Sequence, residues 1–251
     1  MLAPKKLYLG TSGWAYEFWV GNFYPEGTQR AGFLEEYAKR FNSVEIDSTH
    51  YAIPPASMVR RWRERVPEGF KFAAKFPREI TEENMFRDVK GLVDAFLKNI
   101  SLLGEKLGPL LIQLPYNFDP ESYFVLKDFL STLPCGFRYA VEAKNSKWLG
   151  DQLYSLLRDH NMALVLADHP WVPKVDVLTA DFSYIRWEGD KSRIRGTTGA
   201  VEVDRSADTA AWATKIRKIL EVADVYGYFT KYYSGHSPTD ALKMLQMLMG
   251  M

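Results

Sequence analysis

The stretch Tyr139-Ala140-Val141-Glu142-Ala143 decides how the chain is read. It follows a Pro134-Cys135-Gly136 turn, runs through apolar residues and meets a carboxylate before the sequence turns polar. Such a run predicts a buried strand whose last inward side chain is an acid at the mouth of a cavity. Seven more runs share the pattern: 7–10 leading to Thr11, 44–46 to Asp47, 70–74 to Lys75, 110–112 to Gln113, 163–167 to Asp168, 184–185 to Arg186, and 226–229 to Thr230-Lys231. Amphipathic helical patterns separate most of them. Alternation of this kind favours a parallel sheet, and eight repeats favour closure into a single α/β domain, a (β/α)8 TIM barrel over residues 1–251. The segment 172–179 is short and holds Pro173, so the sixth helix is expected to be irregular or missing.

Bulk properties fit one soluble barrel. The chain has 251 residues, 47% hydrophobic and 25% charged, with 32 basic and 31 acidic side chains giving a net charge of +1. No global field draws it to nucleic acid or a membrane, so any anion site must be local. A lone cysteine, Cys135, excludes an internal disulfide and a cysteine-based zinc site. It precedes a strand and reads as a small turn or buried residue. Residues 1–6 are too few for a signal peptide and no apolar run is long enough to span a bilayer. A cytoplasmic monomer is expected.

On a barrel the first polar residues after the strands converge at one end, where such folds carry their sites. That places Glu45, Asp47, Lys75, Gln113, Glu142, Asp168, Arg186 and Lys231 around one mouth. Acids and bases crowded there shift one another's pKa values, the condition for acid–base chemistry. Glu142 or Glu45 would move the proton, Lys75 and Arg186 would stabilise charge, and Asp168 would orient a group or ligate a metal. Trp14, Tyr51, Gln113, Trp148, Lys191, Arg193, Arg195 and Lys231 are the expected substrate contacts. Residues 191–199 supply three cations and two glycines after the seventh strand, where barrels often hold phosphate.

Other chemistries fit less well. A retaining glycosidase of the barrel type would carry carboxylates where Gln113 and Arg186 stand. A divalent metal could be bound by Glu45, Glu142 and Asp168 with His169 or His236, but no HExxH pair exists, nor a GxSxG elbow or P-loop. Five tryptophans, Trp14, Trp19, Trp148, Trp171 and Trp187, fall in or beside strand-to-helix connections. Rings with cations suggest an anionic ligand that has a flat or sugar face.

In order along the chain, residues 10–14 (GTSGW), 44–51 (VEIDSTHY), 75–81 (KFPREIT), Gln113-Leu114-Pro115, Val141-Glu142 with Ser146 and Trp148, and Tyr184-Ile185-Arg186 resemble the YecE-like family, domain of unknown function 72. The resemblance implies a TIM barrel and carries no established activity. This chain departs from the family pattern at Glu82, Lys144-Asn145, Glu188-Gly189 and Thr230-Lys231, where the family typically shows histidines, an Arg-His pair and paired asparagines. Two functions are therefore expected in competition. One is an enzyme using acid–base or metal-assisted cleavage or isomerisation of a phosphate-bearing sugar or nucleotide-like substrate. The other is a non-catalytic module binding nucleic acid or an anionic metabolite.

Overall fold

The computed structural model describes residues 5–250; residues 1–4, on which most of the N-terminal reading rests, and residue 251 lie outside the described residues. Eight parallel strands follow in order: β1 (Leu7–Thr11), β2 (Ser43–Ile46), β3 (Lys71–Lys75), β4 (Leu107–Leu114), β5 (Tyr139–Ala143), β6 (Ala163–Asp168), β7 (Phe182–Trp187) and β8 (Asp224–Phe229). Helices α1 (Phe33–Ala38), α2 (Ala56–Glu64), α3 (Lys90–Ile100), α4 (Tyr123–Thr132), α5 (Asp151–Asp159), α6 (Ser206–Ile219) and α7 (Ser237–Met249) pack outside them. The strands pair in the cyclic order β1-β8-β7-β6-β5-β4-β3-β2, the (β/α)8 arrangement expected from the eight runs. None of the described helices is long and apolar enough to cross a membrane.

No described helix joins β6 to β7. The connection is instead tied down by side chains: Thr179 Oγ1 accepts from Leu164 N at 2.7 Å and donates to Met162 O at 2.6 Å, and Lys215 Nζ donates to Val175 O at 3.1 Å. The Thr179 bonds fasten the end of the connection to the start of β6, and the Lys215 bond satisfies a carbonyl within it.

The β1–β2 seam is also unusual. Seven seams are hydrogen-bonded ladders, whereas here the backbone contributes a single bridge, Ser12 to Glu45. Side chains supply the rest. Asn42 accepts from Leu9 N at 3.0 Å and donates to Leu7 O at 2.8 Å. The Tyr37 hydroxyl accepts from Thr11 N at 2.8 Å and donates to Ser43 O at 3.1 Å. Gly10 is required for this approach, since a Cβ there would lie 2.4 Å from the Tyr37 hydroxyl and 2.0 Å from Ser43 O.

Inside the ring, Ala73, Ala140 and Ala163 on one side make room for Tyr184, Tyr226 and Tyr228 on the other. Tyr228 and Ser43 share a 2.7 Å hydrogen bond across the lumen. Filling from below with rings leaves the upper layer of inward positions, Glu45, Lys75, Gln113, Glu142 and Arg186, as the floor of a cavity.

One acid lies elsewhere. Asp240, in the first turn of α7, is buried and accepts from Ser234 Oγ at 2.6 Å. Burial pushes its carboxyl up to about 7 from the ordinary 3.8. The folded chain thus keeps the proton while an unfolded chain has already released it, so this group's contribution is full below about pH 4 and is lost as pH rises through 7. Asp240→Asn is expected to raise Tm at pH 8 and to change it little at pH 4, as measured by thermal unfolding at the two pH values.

Candidate functional site

Arg186 organises the floor of the cavity. Its guanidinium is buried and contacts three carboxylates: Nε reaches Glu45 Oε2 at 2.9 Å, Nη2 reaches Glu45 Oε1 at 3.0 Å, Nη1 reaches Glu142 Oε2 at 2.9 Å, and Nη1 also bonds Glu188 Oε1. Burial works against its charge, but Glu142, Glu188 and Glu45 hold it well above its ordinary value. Glu45 and Glu142 differ in what remains available. Glu45 also accepts from Ser12 Oγ and from the Tyr184 hydroxyl, each at 2.7 Å, so both of its oxygens are engaged twice. Glu142 receives Arg186 and Gln113 Nε2 and still lines the cavity. Burial would raise its carboxyl, yet Arg186, Lys144, Gln113 and Lys75 bring it below the ordinary carboxylate value. It is therefore an ionised base at neutral pH.

Gln113 spends its amide on Glu142, and its buried Oε1 has no hydrogen-bond partner. A buried acceptor without a donor costs free energy, on the order of 1–3 kcal/mol, unless a ligand supplies one. The cavity it faces encloses about 390 Å³.

The rim is cationic. Lys75 is held by Asp47 at 2.9 Å, a contact that brings the Asp47 carboxyl below its ordinary value against the opposing effect of burial. Lys144, Lys191 and Lys231 have no carboxylate within 4.0 Å among the described residues. Each lies instead over a ring: Lys144 Nζ is 5.7 Å from the Tyr116 centroid, Lys191 Nζ 5.4 Å from Tyr232, and Lys231 Nζ 5.1 Å from Tyr232 and 5.6 Å from Tyr16. Cations held by ring faces stay in place while remaining open to an anion. Two imidazoles complete the wall. His169 Nδ1 accepts from Trp171 N at 3.2 Å, which assigns the proton of the neutral ring to Nε2, 3.3 Å from the Tyr116 hydroxyl. Burial lowers the pKa of both His169 and His50.

Of the residues read from sequence, Lys75, Gln113, Glu142, Arg186, Tyr51, Lys191 and Lys231 line this one cavity, with Glu45 directly beneath. Others do not join them. Asp168 points outward, pairing with Lys174 at 2.9 Å and accepting from Trp212 Nε1 at 2.7 Å. It neighbours outward-facing Trp187 in the β6–β7 register, while Val165 takes the inward parity. Trp148 is buried, stacked on Phe118, with Nε1 donating to Phe118 O at 2.6 Å. Trp14 packs edge-on against Trp62 and Phe72 and borders a neighbouring hollow rather than the main cavity.

The glycine loop is occupied from within. Glu202 accepts from Arg195 N at 2.9 Å, Gly196 N at 2.8 Å and Thr198 Oγ1 at 3.2 Å, filling the anion position with the chain's own carboxylate. Arg193 is exposed and turns to Asp190, and neither Arg193 nor Arg195 reaches the cavity. The rings at the mouth are Tyr16, Tyr51, Tyr116 and Tyr232 rather than tryptophans. Lys144, His169 and Glu188 are additional cavity residues. Glu188 was findable by parity, two residues past Arg186 and on the same side. Among the described residues no three His, Cys, Asp or Glu side chains are grouped to hold a metal ion, so the proposed metal set does not assemble. A larger hollow of about 730 Å³ lies at the opposite end of the barrel, where Arg138 bonds Asp224 and Tyr226 and Lys71 bonds Glu105 O.

Residues 8–250 match the model of a family described as "Protein of unknown function DUF72". The chain is 37% identical over 144 residues to UPF0759 protein YecE of Escherichia coli K12, covering 57% of this chain and 50% of YecE. It is 28% identical over 188 residues to UPF0759 protein YunF of Bacillus subtilis, covering 69% of this chain and 64% of YunF. The matched region thus spans about half the length of YecE and under two thirds of YunF. A crystal structure of a DUF72 family protein from Thermotoga maritima superposes with a TM-score of 0.81 at 25% identity, covering 97% of this chain and 99% of that one.

Glu45 accepts from Ser12, Tyr184 and two nitrogens of Arg186, all buried, and removing it leaves these donors unpaired at a total cost of about 3–5 kcal/mol. Glu45→Ala, which withdraws the doubly bonded partner of Arg186, is expected to lose about that much stability in urea unfolding. Glu142→Gln should lose far less, because it relieves repulsion among the three acids on one guanidinium.

Proposed function

The chain belongs to the DUF72 family of proteins of unknown function, and from that premise we propose that its mouth cavity is an active site for acid–base chemistry on a small anionic, hydroxyl-bearing substrate. A phosphate-bearing sugar or nucleotide-like compound has the required chemistry. The observation that carries the reading is the juxtaposition of an ionised Glu142, an unpartnered Gln113 Oε1 and three lysines without carboxylate partners in one 390 Å³ space. Lys191 and Lys231 take the anionic group. A substrate hydroxyl donates to Gln113 Oε1, which places the adjacent carbon or oxygen beside Glu142. Glu142 accepts the proton, and Arg186 holds its carboxylate in orientation. The His169 Nε2–H supplies a neutral donor to negative charge developing on the substrate. Glu45 belongs to the support of this site, since its oxygens are saturated.

The competing reading, a nucleic-acid or anionic-metabolite binding module, draws on residues 191–199 and on the aromatic rim. Two amides of that loop, Arg195 N and Gly196 N, are taken by Glu202; Trp19, Trp148 and Trp187 are buried, and the rings at the mouth are Tyr16, Tyr51, Tyr116 and Tyr232.

Titration calorimetry with inorganic phosphate tests the anion site directly. The unmodified protein should bind phosphate, and Lys191→Ala with Lys231→Ala should weaken binding by about tenfold or more, the effect of roughly 1.4 kcal/mol. With a substrate found among sugar phosphates, Glu142→Gln should retain phosphate binding and lose about 10²–10⁴ in kcat. Undiminished turnover in that variant rejects the role of Glu142.

A further inference from the structure

The cations of the cavity are not equivalent. Lys75 is held by Asp47 at 2.9 Å, and Lys191 and Lys231 stand at the rim over tyrosine faces. Lys144 lies further in. It stands just past the end of β5, two residues after Glu142, and both side chains line the cavity. Among the described residues its Nζ has no hydrogen-bond acceptor and no carboxylate within 4.0 Å, and it lies 5.7 Å from the centroid of the Tyr116 ring. An amine in this position is a poor permanent counter-ion and an accessible nucleophile.

We propose that Lys144 is a nucleophilic amine that condenses with an aldehyde or ketone group of the anionic substrate. The proposal deepens the active-site reading above and rests on its anion site. In the first step the Nζ lone pair forms a bond to the carbonyl carbon, and a nitrogen-bound proton passes to the oxygen. The carbinolamine takes one proton from solvent and loses water, leaving a protonated imine. Glu142 then removes a proton from the neighbouring C–H, or from a hydroxyl one carbon further out, whose oxygen becomes a carbonyl as the adjoining C–C bond breaks and that carbonyl fragment departs; in either case the released electron pair is taken up by the imine nitrogen as an enamine. Reprotonation at carbon and addition of water return the free amine, so no oxidant or further reactant is consumed. Attack needs the unprotonated amine. Burial, with Lys75 and Arg186 nearby, lowers the Lys144 pKa from the ordinary lysine value against the pull of Glu142.

The test is reductive trapping on the full chain with glycolaldehyde phosphate, the smallest anionic aldehyde of the class, and cyanoborohydride, followed by peptide mass mapping. Phosphate titration is run on the same preparation. The expected result is an adduct at Lys144 exceeding that at Lys191 and Lys231 by about tenfold. Inorganic phosphate should suppress it, and Lys144→Arg should remove it while the rim lysines keep their background labelling. Labelling that follows exposure, with no excess at Lys144, overturns the proposal. Phosphate binding without a Lys144 adduct overturns the amine chemistry and leaves the anion site standing. Absence of both removes the two together.

Discussion

The upper half of this barrel depends on one guanidinium and the acids around it. Arg186 carries a single positive charge and contacts Glu45, Glu142 and Glu188, so the cluster is short by two positive charges, three carboxylates against one cation. Buried charge is tolerated only when paired and hydrogen-bonded. Lys75 is already matched by Asp47, so the cations that face this excess are the rim lysines Lys191 and Lys231. The cavity is thereby polarised, with acids deep and cations at the opening. A ligand whose anionic end stays at the rim and whose hydroxyls point inward matches both layers, and the reverse orientation would set like charges against each other.

Much of the floor was legible because strand geometry converts sequence position into direction. Glu45, Lys75, Gln113, Glu142 and Arg186 each end an apolar run, and the structure brings all five together. The same rule failed at Asp168 for a physical reason. A parallel strand buried on both faces is apolar throughout, so its sequence does not say which alternate residues look inward. In β6 the inward set is Ala163 and Val165, and Asp168 falls on the opposite parity. Trp148 failed differently. A ring in a strand-to-helix connection can cover the cavity or pack beneath the loop, and composition does not separate the two outcomes. Phe118, thirty residues earlier and invisible as a neighbour in sequence, holds it below.

The loop 191–199 shows how composition can misdirect. Its cations and glycines describe an anion nest correctly, but the anion is Glu202, three residues beyond the loop. The amides of Arg195 and Gly196 hold that carboxyl below its ordinary value, so it occupies the nest as a charged group at neutral pH. What remains of the loop's function falls on Lys191 alone, which reaches the cavity. The loop is better understood as a rigid arm that delivers one amine than as a cradle for phosphate.

The seam between β1 and β2 bears on how the molecule comes to exist. Strand β1 joins its ladder partner β8 through pairs such as Leu7 with Val225, while on the β2 side it is held chiefly by the side chains of Asn42, just before β2, and of Tyr37 from α1. During synthesis the first strand therefore waits, lightly fastened, for a partner made more than two hundred residues later. Pairings so distant along the chain form slowly, and exposed edges are vulnerable until they do. The ring is shut by its last-made strand, and the cavity above it acquires a complete wall only at that moment.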